Sequence, residues 1–421
     1  MEVSQLHSLA PGIGSGQMST LTSQLNVLSP RAGFALSDAL TRRIGLIGIL
    51  AAVVTLAGIV LSPERTWASL LIVSVYLVEI ALGGMLFLAT QAVASGGWHV
   101  CFKRVPEAMA STLPYGGILL MLTLAGGMGT LYEWSHPDAV AADPLLTAKS
   151  GWLDVPFFLA RAALVLALWF GFSLGMRRIS RRQDESGDRR GIAGNRRMVT
   201  LSAVFLVVFA FSFSLASFDW LMSLQAHWFS TLFAGYHFAG TFVSGLATIT
   251  ILVILLRREG SLKGIVTTDH LHDLGKLLFG FTSFWAYLWF SQYMLIWYGN
   301  LPEEVTFFEW RHEGAWAVVS GANALIGWFI PFLVLLPRAA KRSENLMLKM
   351  AGLLLVGHWV DLYLAVQPAL SPDAPHLGIW ELAPIVASVA LFILAFGRGM
   401  ASTTIVPRGD VLLTESLNHH Q

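Results

Sequence analysis

Apolar residues fill this chain in runs of about twenty, each closed by a short polar stretch. At ~1.5 Å of rise per helical residue, such runs match the ~30 Å hydrocarbon layer of a bilayer. They predict ten membrane-spanning helices near residues 44–61, 68–94, 112–131, 155–176, 199–217, 228–256, 275–298, 314–337, 346–367 and 379–397. The expected fold class is all-α, a polytopic membrane protein. Spans 2–5 (about 68–217) and 6–9 (about 228–367) would each form a four-helix bundle, with spans 1 and 10 flanking them. An offset of four spans preserves direction, so any repeat between the bundles would be parallel. Residues 1–40 and 401–421 read as tails on either side of a membrane domain over 41–400.

Composition agrees: 55% of residues are apolar and 13% charged, against about 25% charged in a water-soluble chain. The net charge of +1 says little, because the charge is segregated. Of 27 Lys and Arg, 23 fall on the side of the N-terminus and three (Arg65, Lys149, Arg311) on the other; Arg161 lies within span 4. By the positive-inside rule both termini face the cytoplasm. Trp98, Trp134, Trp220, Trp228, Trp297, Trp310 and Trp380 fall near span ends, where an interfacial aromatic belt is expected.

Cys101 is the single cysteine, which excludes an internal disulfide, a Cys₄ iron–sulfur cluster and a C-x-x-C-H haem attachment. Lys and Arg are absent before Arg31, so no cleaved signal peptide is expected. GIGSGQ (12–17) resembles a dinucleotide loop, but no strand precedes it. No metal site and no nucleic-acid partner are expected.

Ionisable groups inside hydrocarbon are costly and face bundle interiors. The spans hold few: Glu79, Arg161, His237, and His358 with Asp361 in GHWVDLYLAVQP (357–368). Glu79 lies ~17 Å from the outer end of its span and Asp361 ~9 Å from its own. His358 and Asp361 sit one turn apart and share a face. Two readings stand for these groups, a paired structural pin or a proton relay, and the open question is whether the pair connects to Glu79 or to His237. Arg161, ~9 Å from the outer end, is expected to snorkel or to serve structure. At the cytoplasmic end of span 7, TTDHLHDLGKLLF (267–279) places His272 and Asp273 at a candidate proton inlet, with Thr268 and Asp269 as candidate helix caps. The outer loops are aromatic and acidic. SFDWLMSLQAHWFS (217–230) carries Asp219 and His227, Tyr132 follows span 3, and Trp297 and Tyr298 end span 7. Such loops suit a quinone head group or a docking face.

Three stretches, SFDWLMSLQAHWFSTLFAGYHFAG, HLHDLGKLLFGFTSFWAYLWFSQYMLIWYGNLPEE and SGGWHVCFKRVPEAMA, carry a resemblance over roughly residues 40–400. They resemble the F subunit of bacterial alternative complex III, in the NrfD-type (polysulfide-reductase) membrane-subunit family. The resemblance implies a non-autonomous subunit of a quinol:cytochrome c or quinol:oxidase oxidoreductase in the bacterial inner membrane. It implies a homologous membrane subunit, a periplasmic iron–sulfur subunit, multihaem cytochrome c subunits and a terminal oxidase as partners. Haem and iron–sulfur clusters would then reside in those partners, with quinone as the one redox molecule this chain could meet. The family pattern has Glu and Pro before HWFS where this chain has Gln225 and Ala226, so a proton role for that loop is not carried over. Three rivals remain: a secondary transporter, a haem b subunit with His237 and His358 as axial ligands, and a structural anchor for peripheral redox subunits.

Overall fold

A computed structural model describes residues 34–186 and 192–420. The tail residues 1–33, including the GIGSGQ stretch, and Arg189 and Arg190 lie outside the described residues. The rest is helical, with no strand among the described residues. The long helices are α1 (Asp38–Leu61), α2 (Pro63–Val93), α3 and α4 (Arg104–Ala110 and Leu113–Gly126), α5 (Val155–Ser186), α6 (Ile192–Trp220), α7 (Phe233–Glu259) and α8 (Thr268–Gly299). A surface helix α9 (Pro302–His312) leads into α10 (Gly314–Ala324), a π-turn over Leu325–Phe329, and α11 (Ile330–Leu335). α12 (Glu344–Leu370), α13 (Ile379–Ala401) and the short α14 (Leu413–Leu417) complete the chain.

Nine helices among the described residues are long and apolar enough to cross a membrane, α3–α4 and α10–α11 each counting as one. The expected seventh span is present as the 32-residue α8 but is not among the nine. Its centre, FTSFWAYLWFSQY (281–293), carries indole, phenol, hydroxyl and amide groups that lower its apolarity. Several ends differ from expectation. α5 runs ten residues past 176 because nothing in its arginine-rich continuation breaks a helix, and basic side chains can stay in water. α8 is capped by Thr267, whose backbone N–H is met by His270 Nδ1 at 3.1 Å, rather than by Thr268 or Asp269. Asp269 instead pairs with Arg342 at 2.5 Å. The π-turn stands where Pro331 cannot donate to the carbonyl four residues back.

α2 is the most buried helix and packs against α4, α6, α7, α12 and α13. α7 lies against α2, α8 and α12, and α1 pairs with α13 at the edge. Arg65 and Glu381 fasten the start of α2 to the start of α13 at 2.7–2.8 Å. Of the tryptophans expected to form an interfacial belt, Trp297 and Trp310 are exposed, but Trp134, Trp220 and Trp228 are buried. The loops fold over these rings and satisfy their N–H groups: Trp134 donates to Ser223 O and Trp228 to Glu304 O. At the basic face, residues 405–420 fold back onto the helix ends. Lys103 pairs with Asp410, Ser416 Oγ accepts from Cys101 N, and His419 meets Asp273.

Candidate functional site: a buried carboxylate between two histidines

Two glycines decide where the site forms. α2 and α7 cross at Gly83 and Gly245 so closely that a Cβ on Gly83 would lie 2.5 Å from the Gly245 Cα. Small residues at a crossing let backbones touch. Glu79 stands one turn from Gly83, and His237 two turns from Gly245, both toward the face opposite the basic one. α12 reaches the same crossing because position 240 is also glycine. A Cβ there would meet His358 Cε1 at 2.6 Å and Nδ1 at 2.7 Å. Gly357 in turn packs on Gly327 in the π-turn, which carries Asn323 alongside.

The result is a row of polar groups in an apolar interior, hydrogen-bonded throughout except for one gap between His358 and Asp361. His237 Nε2 donates to one oxygen of Glu79, and His358 Nε2 donates to the other at 2.6 Å. Beyond His237, Nδ1 meets Ser217 Oγ at 2.8 Å. Beyond His358, Nδ1 has no hydrogen-bond partner and stands 3.9 Å from Asp361 Oδ2. Asp361 accepts from the Tyr236 hydroxyl, from Asn323 Nδ2 at 2.9 Å and from Trp285 Nε1 at 3.2 Å. Every charged or imidazole member is buried. The sequence question is thereby answered: the His358–Asp361 pair connects to Glu79, and through it to His237. A lone buried carboxylate would cost several kcal/mol, and two N–H donors offset this. Each imidazole can also take a proton on one nitrogen and release it from the other.

Both ends of the array have polar continuations. Above Asp361 is a cavity of about 40 Å³, room for about three waters at ~15 Å³ each, lined in part by Tyr236, Gln292, Arg311, His312 and Asn323. Toward the basic face, Thr241, Ser244 and Thr248 continue the His237 face of α7, all buried, each hydroxyl bonded to a carbonyl of its own helix. The inlet candidates His272 and Asp273 are buried at that end, where Asp273 meets Lys276 at 2.5 Å and His419 at 2.6 Å. About 18 Å of α8 separates Asp273 from Trp285, so these two do not touch the array.

The outer-loop candidates are not gathered into one place. Asp219 forms a buried ion pair with Arg161 (2.8 and 3.1 Å) and accepts from Trp152 at 3.0 Å. Arg161 therefore does not snorkel: its guanidinium is buried against a carboxylate and the Trp152 ring. Tyr132 is buried and donates to Trp220 O at 2.8 Å. His227 is exposed and bonds Asp143 at 2.5 Å, holding that carboxyl below its usual range. Trp297 and Tyr298 lie exposed at the end of α8.

Sequence reasoning missed Ser217, Tyr236, Trp285 and Asn323. Each is an ordinary residue in its own helix, and only Tyr236, adjacent to His237, and the Thr241–Ser244–Thr248 spacing carried a local signal. The haem b reading meets a geometric obstacle, since the Glu79 carboxylate occupies the place between the two Nε2 atoms where an iron would sit. Neither the comparison with protein-family models nor the comparison with curated proteins finds a match for this chain.

Proposed function

We propose that this chain is a membrane subunit of a quinol-oxidising respiratory complex in the bacterial inner membrane, with both termini cytoplasmic, and that its own part is to carry protons. The observation that supports the reading is the Glu79 carboxylate bridged by His237 and His358, with Asp361 beyond. A structural pin needs one partner; four titratable groups in line, with hydroxyls on one side and a water-sized cavity on the other, suit a relay. In this reading α8 is a tenth span, and the helices form two rings, α2 to α6 and α7 to α12, flanked by α1 and α13. Protons enter near His272 and Asp273, pass the hydroxyls of α7 and leave through Asp361.

Quinol oxidation yields quinone, two protons and two electrons. The electrons go to haem or iron–sulfur centres of periplasmic partners, and the protons go to a general base. Asp361 is the carboxylate best placed for that role, because the cavity beside it opens among aromatic rings. Trp297 and Tyr298, exposed at the same end, offer a surface for a quinol ring or a partner subunit. Asp219, Tyr132 and His227 hold the loops of the first ring beneath the peripheral subunits.

The test replaces Glu79 by Gln in the protein purified with its bound subunits and reconstituted in liposomes. Electron delivery from quinol should persist while protons released per electron fall at least about twofold. Unchanged proton release would remove the relay. The break at Leu325–Phe329 beside the site supports a second reading, a secondary transporter. Substrate-driven proton uptake by the isolated chain would favour it.

A further inference from the structure

Arg311 is 4% exposed, yet no carboxylate among the described residues pairs with it. Its partners are all neutral. Nε donates to Leu364 O at 2.7 Å, Nη1 to Phe307 O at 2.7 Å and Gln225 Oε1 at 3.2 Å, and Nη2 to Ala365 O at 3.2 Å. The Phe307 ring lies 3.4 Å from the guanidinium carbon. The reason for this placement is Pro368, inside the last turn of α12. Proline has no N–H, so the carbonyl four residues back, Leu364, loses its helical donor, and Arg311 supplies one. Arg161, Arg104 and Arg65, by contrast, are each held by carboxylates. Burial pushes Arg311 down to about 9, which still leaves it charged at neutral pH.

This charge lines the same cavity as Asp361. The other polar groups there are Tyr236, Trp289, Gln292, Ser320, Asn323 and His312, and burial followed by the Arg311 charge lowers His312 from its ordinary value. Gln292 Oε1 and Asn323 Oδ1 are buried without partners, which suits waters donating to both. A proton that leaves Asp361 through this cavity meets the Arg311 charge.

We propose that Arg311 is a positioning residue that sets the barrier of this outlet: its unneutralised charge favours the ionised form of Asp361 and opposes the entry of protons into the cavity from the far face. Fixed arginines bar protons in water channels on the same principle. The inference rests on the proton-carrying reading of the Glu79 array and adds a barrier against leak at its outlet.

Gln225→Glu tests it without disturbing Leu364 or Ala365, since it places a carboxylate where Gln225 now accepts from Arg311. In resting liposomes carrying the protein with its bound subunits, an acid jump on the far face should drive inward proton flux about tenfold faster than in wild type. Arg311→Lys, which keeps the charge and gives up the fork geometry, should stay within about twofold of wild type. Wild-type flux in Gln225→Glu, while Glu79→Gln still lowers proton release, overturns this inference alone. A leak in Arg311→Lys equal to that of Gln225→Glu overturns it too, because geometry rather than charge would then seal the outlet. If Glu79→Gln leaves proton release intact, the reading and this inference fall together.

Discussion

Asp219 and Glu79 are both buried carboxylates, yet their partners differ in kind. Asp219 faces a permanent cation, Arg161, so its charge is balanced in every state. Glu79 faces two imidazoles, whose charge depends on protons. Removing one member of a buried ion pair leaves the other uncompensated and costs about 3–5 kcal/mol. Asp219→Asn should therefore lower the unfolding temperature in detergent clearly, while surviving protein keeps its proton release per electron. A melting point within about 2 °C of wild type would show that the pair contributes little. The residue types at these positions were legible in the sequence, because ionisable groups stand out in apolar runs. Their sorting into an Arg-paired carboxylate and one bridged by two imidazoles was not, because it depends on partners 58 residues away for Asp219 and 158 and 279 away for Glu79.

At the scale of helices, the close crossing of α2 and α7 positions the whole array. Backbone cannot yield as a flexible side chain can, so Gly83→Val should push the helices apart and separate Glu79 from His237. Fluorescence-detected gel filtration should show a large loss of monodisperse protein. Gly171 is the control, since a Cβ there would meet nothing within 4 Å, and Gly171→Ala should gain up to about 1 kcal/mol of helix propensity. Equal behaviour of the two variants would refute the packing account. The helices themselves were readable from run length, but their ends were not. Polar turns such as Arg177–Arg182 continue a helix as readily as they leave it, and aromatic stretches such as 281–293 are only moderately apolar although they are helical throughout.

Across the whole molecule, the segment 405–420 folds over His270 and Asp273 at the basic face. Burial alone would raise the Asp410 carboxyl, but Lys103 beside it outweighs burial and holds it below its ordinary 3.8. A carboxylate with a depressed folded value stabilises fully above its unfolded value and loses that contribution as pH falls through the folded one. The segment should stay docked at neutral pH and loosen only below about pH 4. Hydrogen exchange of residues 405–420 across this range measures it, and Asp410→Asn should show the acid pattern already at pH 7. Protection that is independent of both would mean that the bonds Cys101 N to Ser416 Oγ and Gly97 N to Glu415 Oε1 suffice.

By itself the sequence determined that this is a helical chain with apolar runs long enough to cross a bilayer, that its basic residues gather at one set of helix ends, and which few ionisable residues lie within the runs. These follow from local quantities: run length, charge bias and the cost of burying charge. Tertiary structure alone decided that Glu79 joins His237 to His358, that Arg161 answers Asp219, and that Arg311 caps the carbonyl freed by Pro368. Such pairings depend on where glycines let helices touch and where a proline leaves an acceptor open, and neither is written in any one segment.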